Sequence, residues 1–343
     1  MRFPKLLEEL KSSPRNWLVT GGAGFIGSNL VEALLAAGQR VTGLDNFATG
    51  SPSNLEDIKK SLTVEAWARL TFIEGDTRDL AVCRKACEGV DIVLHQAALG
   101  SVPRSINDPI SSHTANVDGF LNMLVAARDA EVKRFVYASS SSVYGDNPDL
   151  PKVEARTGTP LSPYALTKVM NEQYAAVFAR TYGFKPIGLR YFNVFGRRQK
   201  PDGPYAAVMP RWISSLLRGE SCVINGDGET SRDFCYIANV IQANILAGLS
   251  DDEALGHVFN VSFGGRTTLT DLYCMIRDRL AKWQPELAGR PAKYVGFRDG
   301  DIAHSQADTS KARVLLGYEP THSVAQGLDE ALEWFVSSLG QKA

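Results

Sequence analysis

The sequence predicts an α/β fold, a doubly wound parallel sheet followed by a smaller C-terminal α/β lobe, and three observations carry that expectation. Short apolar runs alternate with amphipathic stretches through the first half, as parallel strands joined by crossover helices require. The runs are apolar almost without interruption, the pattern of strands covered on both faces. A glycine-rich turn joins the first run to the first helical stretch.

In chain order, strands are expected at Asn16–Thr20, Arg40–Leu44, Leu70–Glu74, Asp91–His95, Arg134–Ser139 and Pro186–Tyr191. Helices are expected at Ile26–Ala37, Thr114–Ala130 and Pro163–Tyr182, the second carrying Val117, Leu121, Leu124 and Val125 as an apolar stripe. Beyond Tyr191, Gly and Pro become more frequent, and 197–205 and 225–233 read as loops. Residues 1–190 are therefore assigned to a Rossmann domain to which 237–266 return. Residues 191–236 and 267–343 are assigned to the smaller lobe.

Composition narrows the function classes. The 343 residues are 44% apolar and 22% charged, with a formal net charge of -1, so neither nucleic acid nor an anionic membrane is an expected partner. No apolar run is long enough to cross a bilayer, and Met1–Asn16 lacks the apolar core of a signal peptide, which makes the cytoplasm the expected location. The five cysteines are scattered, no metal-ligand spacing is completed, and buried free thiols are expected.

The turn reads Gly21-Gly22-Ala23-Gly24-Phe25-Ile26-Gly27, with Gly21, Gly24 and Gly27 three apart. A backbone that must approach a pyrophosphate cannot carry Cβ atoms at such positions, and the helix that follows aims its N–H groups at the phosphates. Asp45 ends the second strand, eighteen residues past Gly27, where a carboxylate accepts both ribose hydroxyl protons of an adenosine. It would repel a 2′-phosphate, and Asn46 and Phe47, not Arg, follow it, so NAD is expected over NADP. Asp76 ends the third strand and is a candidate for the adenine edge.

Tyr164 and Lys168 stand four apart on an expected helix and share a face. An ammonium beside a phenol is expected to lower the phenol's pKa and make it a usable base. Upstream, the fifth strand runs into Ser139-Ser140-Ser141-Ser142, at a carboxyl end where open α/β sheets bind ligands. Each feature alone is common; their order along one chain is specific.

Together these features resemble the extended short-chain dehydrogenase/reductase family, and within it the UDP-N-acetylglucosamine 4-epimerases of bacterial polysaccharide biosynthesis. The resemblance runs from about Trp17 to Trp334, through TGGAGFIG (20–27), GLDNFATG (43–50), HQAALGSVPRSINDP (95–109), ASSSSVYGD (138–146), SPYALTK (162–168), LRYFNVFGRRQ (189–199), INGDGETSRDFCYI (224–237) and FRDGDIAHSQAD (297–308). It implies that NAD is held by Gly21, Gly24, Phe25, Ile26, Gly27, Asp45, Asn46 and Asp76, with Tyr164 and Lys168 at the nicotinamide end. It implies that Tyr164 is the base, Lys168 tunes it, and Ser140 hydrogen-bonds the reacting oxygen.

For the UDP-sugar, the resemblance implies contacts from Asn193, from the paired guanidiniums of Arg232 and Arg298, and from Asp301 to the uridine ribose. Related dehydratases carry an Asp-Glu pair after the catalytic hydroxyl residue, and related decarboxylases a Glu; here Ser141 and Ser142 take those places. The small Ser305, with Gly100, Ser141, Tyr164, Asn193 and Ala207, implies an enclosure that admits a 2-acetamido group. An N-acetylglucosaminuronic acid substrate, met by Arg104, Ser101, Ser105 or His304, is the nearest alternative, and an NAD-binding protein that has lost its chemistry is another. The family's dimers imply a homodimer through the Thr114–Ala130 and Pro163–Tyr182 helices.

Overall fold

The computed structural model describes residues 2–201, 203, 205–297 and 303–339. Seven strands form one parallel sheet: β1 (Asn16–Thr20), β2 (Arg40–Asp45), β3 (Leu70–Glu74), β4 (Ile92–His95), β5 (Arg134–Ser140), β6 (Ile187–Tyr191) and β7 (Val258–Val261). Their order is β7-β6-β5-β4-β1-β2-β3, every pairing parallel. Strand order reverses between β1 and β4, and at that switch point the two adjacent C-terminal ends open a crevice.

Away from the β3 edge, both faces of the sheet are buried, which explains the apolar runs. Along β1, Trp17 and Val19 pack on one side with Leu30 and Leu34 of the Phe25–Ala36 helix and with the Ile237–Gly248 helix. Leu18 packs on the other with Phe120, Met123 and Phe178. Burying each such aliphatic side chain stabilises the fold by roughly 1.5–3 kcal/mol. The first cluster continues without a break into the C-terminal half, through Trp212, Ile224, Leu272 and Phe335. The two halves thus share a core.

The expected Thr114–Ala130 helix opens differently from the expectation. Residues Thr114–Asp118 form one π-helical turn before the α-helix Gly119–Asp129. That turn carries Asn116, whose side chain accepts from Leu99 N–H at 2.7 Å and donates to the Leu99 carbonyl at 3.1 Å, pinning the loop after β4. The 225–233 stretch is not wholly loop. It holds the strand Ser231–Arg232, paired antiparallel with Thr267–Thr268, and ends the strand Val223–Asn225, paired with Lys293–Val295. Residues 2–12 form a helix tied down by buried Gln39, which donates to the Leu10 carbonyl at 2.7 Å and accepts from Arg15 N–H at 3.0 Å. Among the described residues no helix is long and apolar enough to cross a membrane.

Candidate active site

The crevice at the switch point is a cavity of about 470 Å³. At one end lies the glycine turn. Gly21 has φ of 66°, and its Cβ would stand 3.0 Å from the Ala97 backbone nitrogen; a Cβ on Gly27 would stand 2.0 Å from the Gly21 carbonyl oxygen. Only glycine fits the second position. No side chain caps the Phe25–Ala36 helix at Gly24, so the first-turn N–H groups remain available, and Phe25, Ile26 and Gly27 line the cavity.

Asp45, buried, also lines it. Its two oxygens accept separately from Ala23 N–H at 3.0 Å and Phe47 N–H at 2.7 Å, which fixes the carboxylate plane and leaves lone pairs for a diol. Asp76 and Asn46 line the same end, joined by a 2.7 Å hydrogen bond. Arg78 forks onto Asp76, Nη2 at 2.7 Å and Nε at 3.0 Å, and holds that carboxyl down at about 2. The nearby arginine that could have met a 2′-phosphate is thereby engaged. A turn bare of Cβ atoms at Gly21, Gly24 and Gly27, an uncapped helix start and an oriented carboxylate in one cavity fit a dinucleotide.

At the other end the Pro163–Tyr182 helix presents Tyr164 and Lys168 to the cavity. Its first turn is capped twice: Ser162 Oγ accepts from Ala165 N–H at 3.1 Å, and buried Ser105 Oγ accepts from Tyr164 N–H at 3.0 Å. Pro163 has no N–H to satisfy, so the backbone at Tyr164 is held from both sides. Lys168 Nζ donates to the Ala138 carbonyl at 2.8 Å and lies 5.9 Å from the Tyr164 ring centre.

Here the electrostatics differ from the expectation. Burial pushes the Tyr164 phenol up, partly offset by the Ser140 hydroxyl. Burial also brings Lys168 down to about 8, against the attraction of Glu172. Desolvation outweighs the pairing that spacing suggests. Ser140 Oγ accepts from Ser142 N–H at 3.2 Å, which leaves its own proton free to donate. Ser139 instead donates to Glu172 at 2.6 Å, and the Ser142 hydroxyl is buried with no partner among the described residues.

Of the remaining expected contacts, Gly100, Ser141 and Asn193 line the cavity. Ala207, Arg232 and Ser305 lie beyond its lining, although Ser305 and Arg232 are neighbours. Ser305 N–H donates to the Ser231 carbonyl at 3.1 Å, and Arg232 Nη1 reaches the Ala303 carbonyl at 3.2 Å. Arg298 and Asp301 lie outside the described residues.

Several contributors escape sequence reasoning. Thr20 Oγ1 accepts from the N–H groups of Gln96 and Ala97, both at 3.1 Å, so its proton goes to His95 Nδ1 at 2.9 Å. His95 is buried, and desolvation, then Lys168, brings it down to about 3; it is neutral. Asn116 and Ser105 act the same way, each through a partner distant in sequence.

A glycine turn, an oriented acid and a Ser/Tyr/Lys cluster at one switch point define a dinucleotide-dependent enzyme site. The chain belongs to the NAD dependent epimerase/dehydratase family, whose pattern matches residues 17–262, and NAD is its cofactor. It is 35% identical over 320 residues to the UDP-glucose 4-epimerase of Mycolicibacterium smegmatis, covering 93% of this chain and 97% of that one. Among solved structures it resembles a UDP-N-acetylglucosamine 4-epimerase from Methanobrevibacter ruminantium in complex with UDP-N-acetylmuramic acid (40% identity, TM-score 0.86, 95% of this chain and 99% of the other). It also resembles a UDP-glucuronic acid 4-epimerase from Bacillus cereus in complex with UDP-glucuronic acid and NAD (31% identity, TM-score 0.82, 94% and 99%).

Proposed function

We propose that the chain interconverts UDP-N-acetylglucosamine and UDP-N-acetylgalactosamine by inversion at carbon 4. One observation carries the reaction type: among the described residues lining the cavity, the only carboxylates are Asp45 and Asp76, both at the glycine-turn end. Dehydration and decarboxylation need a further acid or base after the Ser140 position, and Ser141 and Ser142 take those places instead.

NAD, when bound, supplies a hydride acceptor that returns what it takes. Tyr164 removes the proton of the sugar 4-hydroxyl, while Ser140 donates its unengaged proton to the same oxygen. Lys168 holds positive charge beside the phenol and offsets the cost of a buried phenolate. With no further acid near, the 4-keto sugar can only be reduced again, on either face once it has turned. Tyr164→Phe is therefore expected to lower kcat by about a thousandfold or more while the protein still takes up NAD. Asn193 and Ala207 would contact the sugar nucleotide, Arg232 and Arg298 its diphosphate, and Asp301 its ribose.

The N-acetyl preference rests on space. Nothing lies within 4 Å of where a Cβ on Gly100 would stand, and Ser305 is small. A proton NMR time course with UDP-N-acetylglucosamine, UDP-glucose and UDP-N-acetylglucosaminuronic acid tests this reading. Fastest conversion of the first supports it; Ser305→Tyr should then stop that substrate and spare UDP-glucose.

Preferential turnover of the uronic acid would move the assignment to the second reading. One feature favours that alternative: the Arg104 guanidinium lies 5.0 Å over the Tyr205 ring with no carboxylate partner among the described residues. Ser105 is already committed to Tyr164, and His304 Nδ1 to Ser231 at 2.8 Å. No conversion of any of the three substrates would favour a binding protein. We place the enzyme in the cytoplasm, as a homodimer.

A further inference from the structure

Glu172 follows Lys168 by four residues and Tyr164 by eight, on the same helical face. It does not line the active-site crevice, yet three strong hydrogen bonds converge on it. Ser139 donates to Oε1 at 2.6 Å, Arg190 Nε donates to Oε1 at 2.9 Å, and Arg190 Nη2 donates to Oε2 at 2.8 Å. Ser139 and Arg190 are register partners on β5 and β6. One turn earlier, Lys168 grips the Ala138 carbonyl. Two successive helical turns therefore hold two successive strand residues, and the residue after those two is Ser140.

We propose that Glu172 is a positioning residue for the reaction, which with Lys168 locks the end of β5 so that Ser140 faces Tyr164. The inference rests on the epimerase reading for its kinetic consequence, not for its geometry. The same carboxylate lends negative charge to Lys168. The charged groups around it are Arg190 from β6, Lys168 on its own helix and Lys311 from the C-terminal part of the chain; the buried phenol of Tyr137 faces it from β5. Neutral His95 packs near Lys168 from β4. Glu172 is the charge that favours the Lys168 ammonium, and an Arg190 deprived of its partner would repel it.

Two variants separate the two effects. Ser139→Ala breaks the strand tie and keeps the Glu172–Arg190 pair. It should lower kcat about tenfold, with KM for the sugar nucleotide within about twofold of wild type, because misplacement of a reacting group falls on the chemical step. Glu172→Gln keeps the shape and removes the charge. In protein labelled with ¹³Cε-lysine, the Lys168 resonance, assigned by its loss in Lys168→Arg, should titrate near 8 in wild type and about one pH unit or more lower in Glu172→Gln. In Ser139→Ala its midpoint should stay where it is.

That titration needs no turnover, so a wild type inactive on every UDP-sugar would sink the epimerase reading and leave this one standing. An unmoved Lys168 midpoint in Glu172→Gln, or a Ser139→Ala enzyme with kcat within twofold of wild type, would overturn the proposal. If Glu172→Gln fails to fold, Ser139→Ala decides alone.

Discussion

Lys168 shows at single-residue scale what the site costs the fold. Its ammonium is buried, holds one carbonyl, and titrates near 8 instead of the 10.5 of a free lysine. A cation whose folded pKa is depressed binds its proton more weakly in the folded state, so stability rises with pH between those two values. Below about 8 the buried charge costs on the order of 3 kcal/mol. Lys168→Met removes that cost and orphans the Ala138 carbonyl, a loss of about 1 kcal/mol. The variant should be inactive yet melt a few degrees above wild type at pH 7, the gap closing as pH is raised from 8 towards 10; a variant less stable than wild type at pH 7 would refute the argument. Gly27 gives the converse case. A methyl group at a position 2.0 Å from the Gly21 carbonyl must displace the turn. Gly27→Ala should weaken NAD binding at least tenfold, read by fluorescence titration with NADH, with secondary structure unchanged.

Among elements, the segment after β7 and the strand Ser231–Arg232 are joined through one buried acid. Asp233 accepts from Gly264 N–H at 3.2 Å and Ala307 N–H at 3.0 Å, and its own carbonyl accepts from Asn193 Nδ2 at 3.3 Å. Burial pushes its carboxyl up to about 6, despite those donors. A raised carboxyl takes up its proton at a higher pH than an ordinary acid, here inside the usual assay range. Protonation sets an O–H against N–H donors and loosens the loop that carries Ser305. KM for the sugar nucleotide should therefore rise as pH falls from 7 to 5. Asp233→Asn, which mimics the protonated form, should show the raised KM already at pH 7; equal KM at both pH values in wild type would dismiss the idea. This element also marks where sequence reading stops. Strands β1, β2, β4, β5 and β6 are legible because burial in the sheet writes apolar runs. At the sheet edge, β3 is legible from Leu70, Phe72 and Ile73, which are partly covered. The Tyr164/Lys168 pair is legible because four residues make one helical turn. The two-residue strand Ser231–Arg232 has no period to read; its partner, Thr267–Thr268, is set by tertiary contact alone. Asp233, Glu172, Asn116 and Thr20 escape for the same reason: each acts on a residue that only the folded sheet brings near.

At the scale of the whole molecule, the Pro163–Tyr182 helix has two unlike faces. Tyr164, Lys168 and Glu172 turn inward, while Leu166 and Val177 on the opposite face are 50% and 42% exposed. Beside Leu166 the short helix Pro109–His113 leaves Ile110 76% exposed, and Leu166 and Ile110 line an apolar hollow of about 320 Å³ with Pro109, Pro163 and Met170. The other helix expected at a dimer contact behaves differently: Phe120, Met123, Leu124 and Ala127 of Gly119–Asp129 are spent inside the chain's own core. An apolar face of this kind is costly to leave in water, and in the homodimer we propose, a second copy related by a two-fold axis would cover it with its own equivalent face. Wild type should therefore run as a dimer in light-scattering chromatography at micromolar concentration. Ile110→Asp/Leu166→Asp should shift it to monomer with its circular dichroism unchanged, because neither side chain is buried within the chain. Since the bare face and the catalytic face belong to one helix, the monomer should also lose activity, about tenfold in kcat, as that helix loses its outer support. A wild type that is monomeric at that concentration would remove the dimer, and full activity in a monomeric variant would show that the helix needs no neighbour to hold Tyr164.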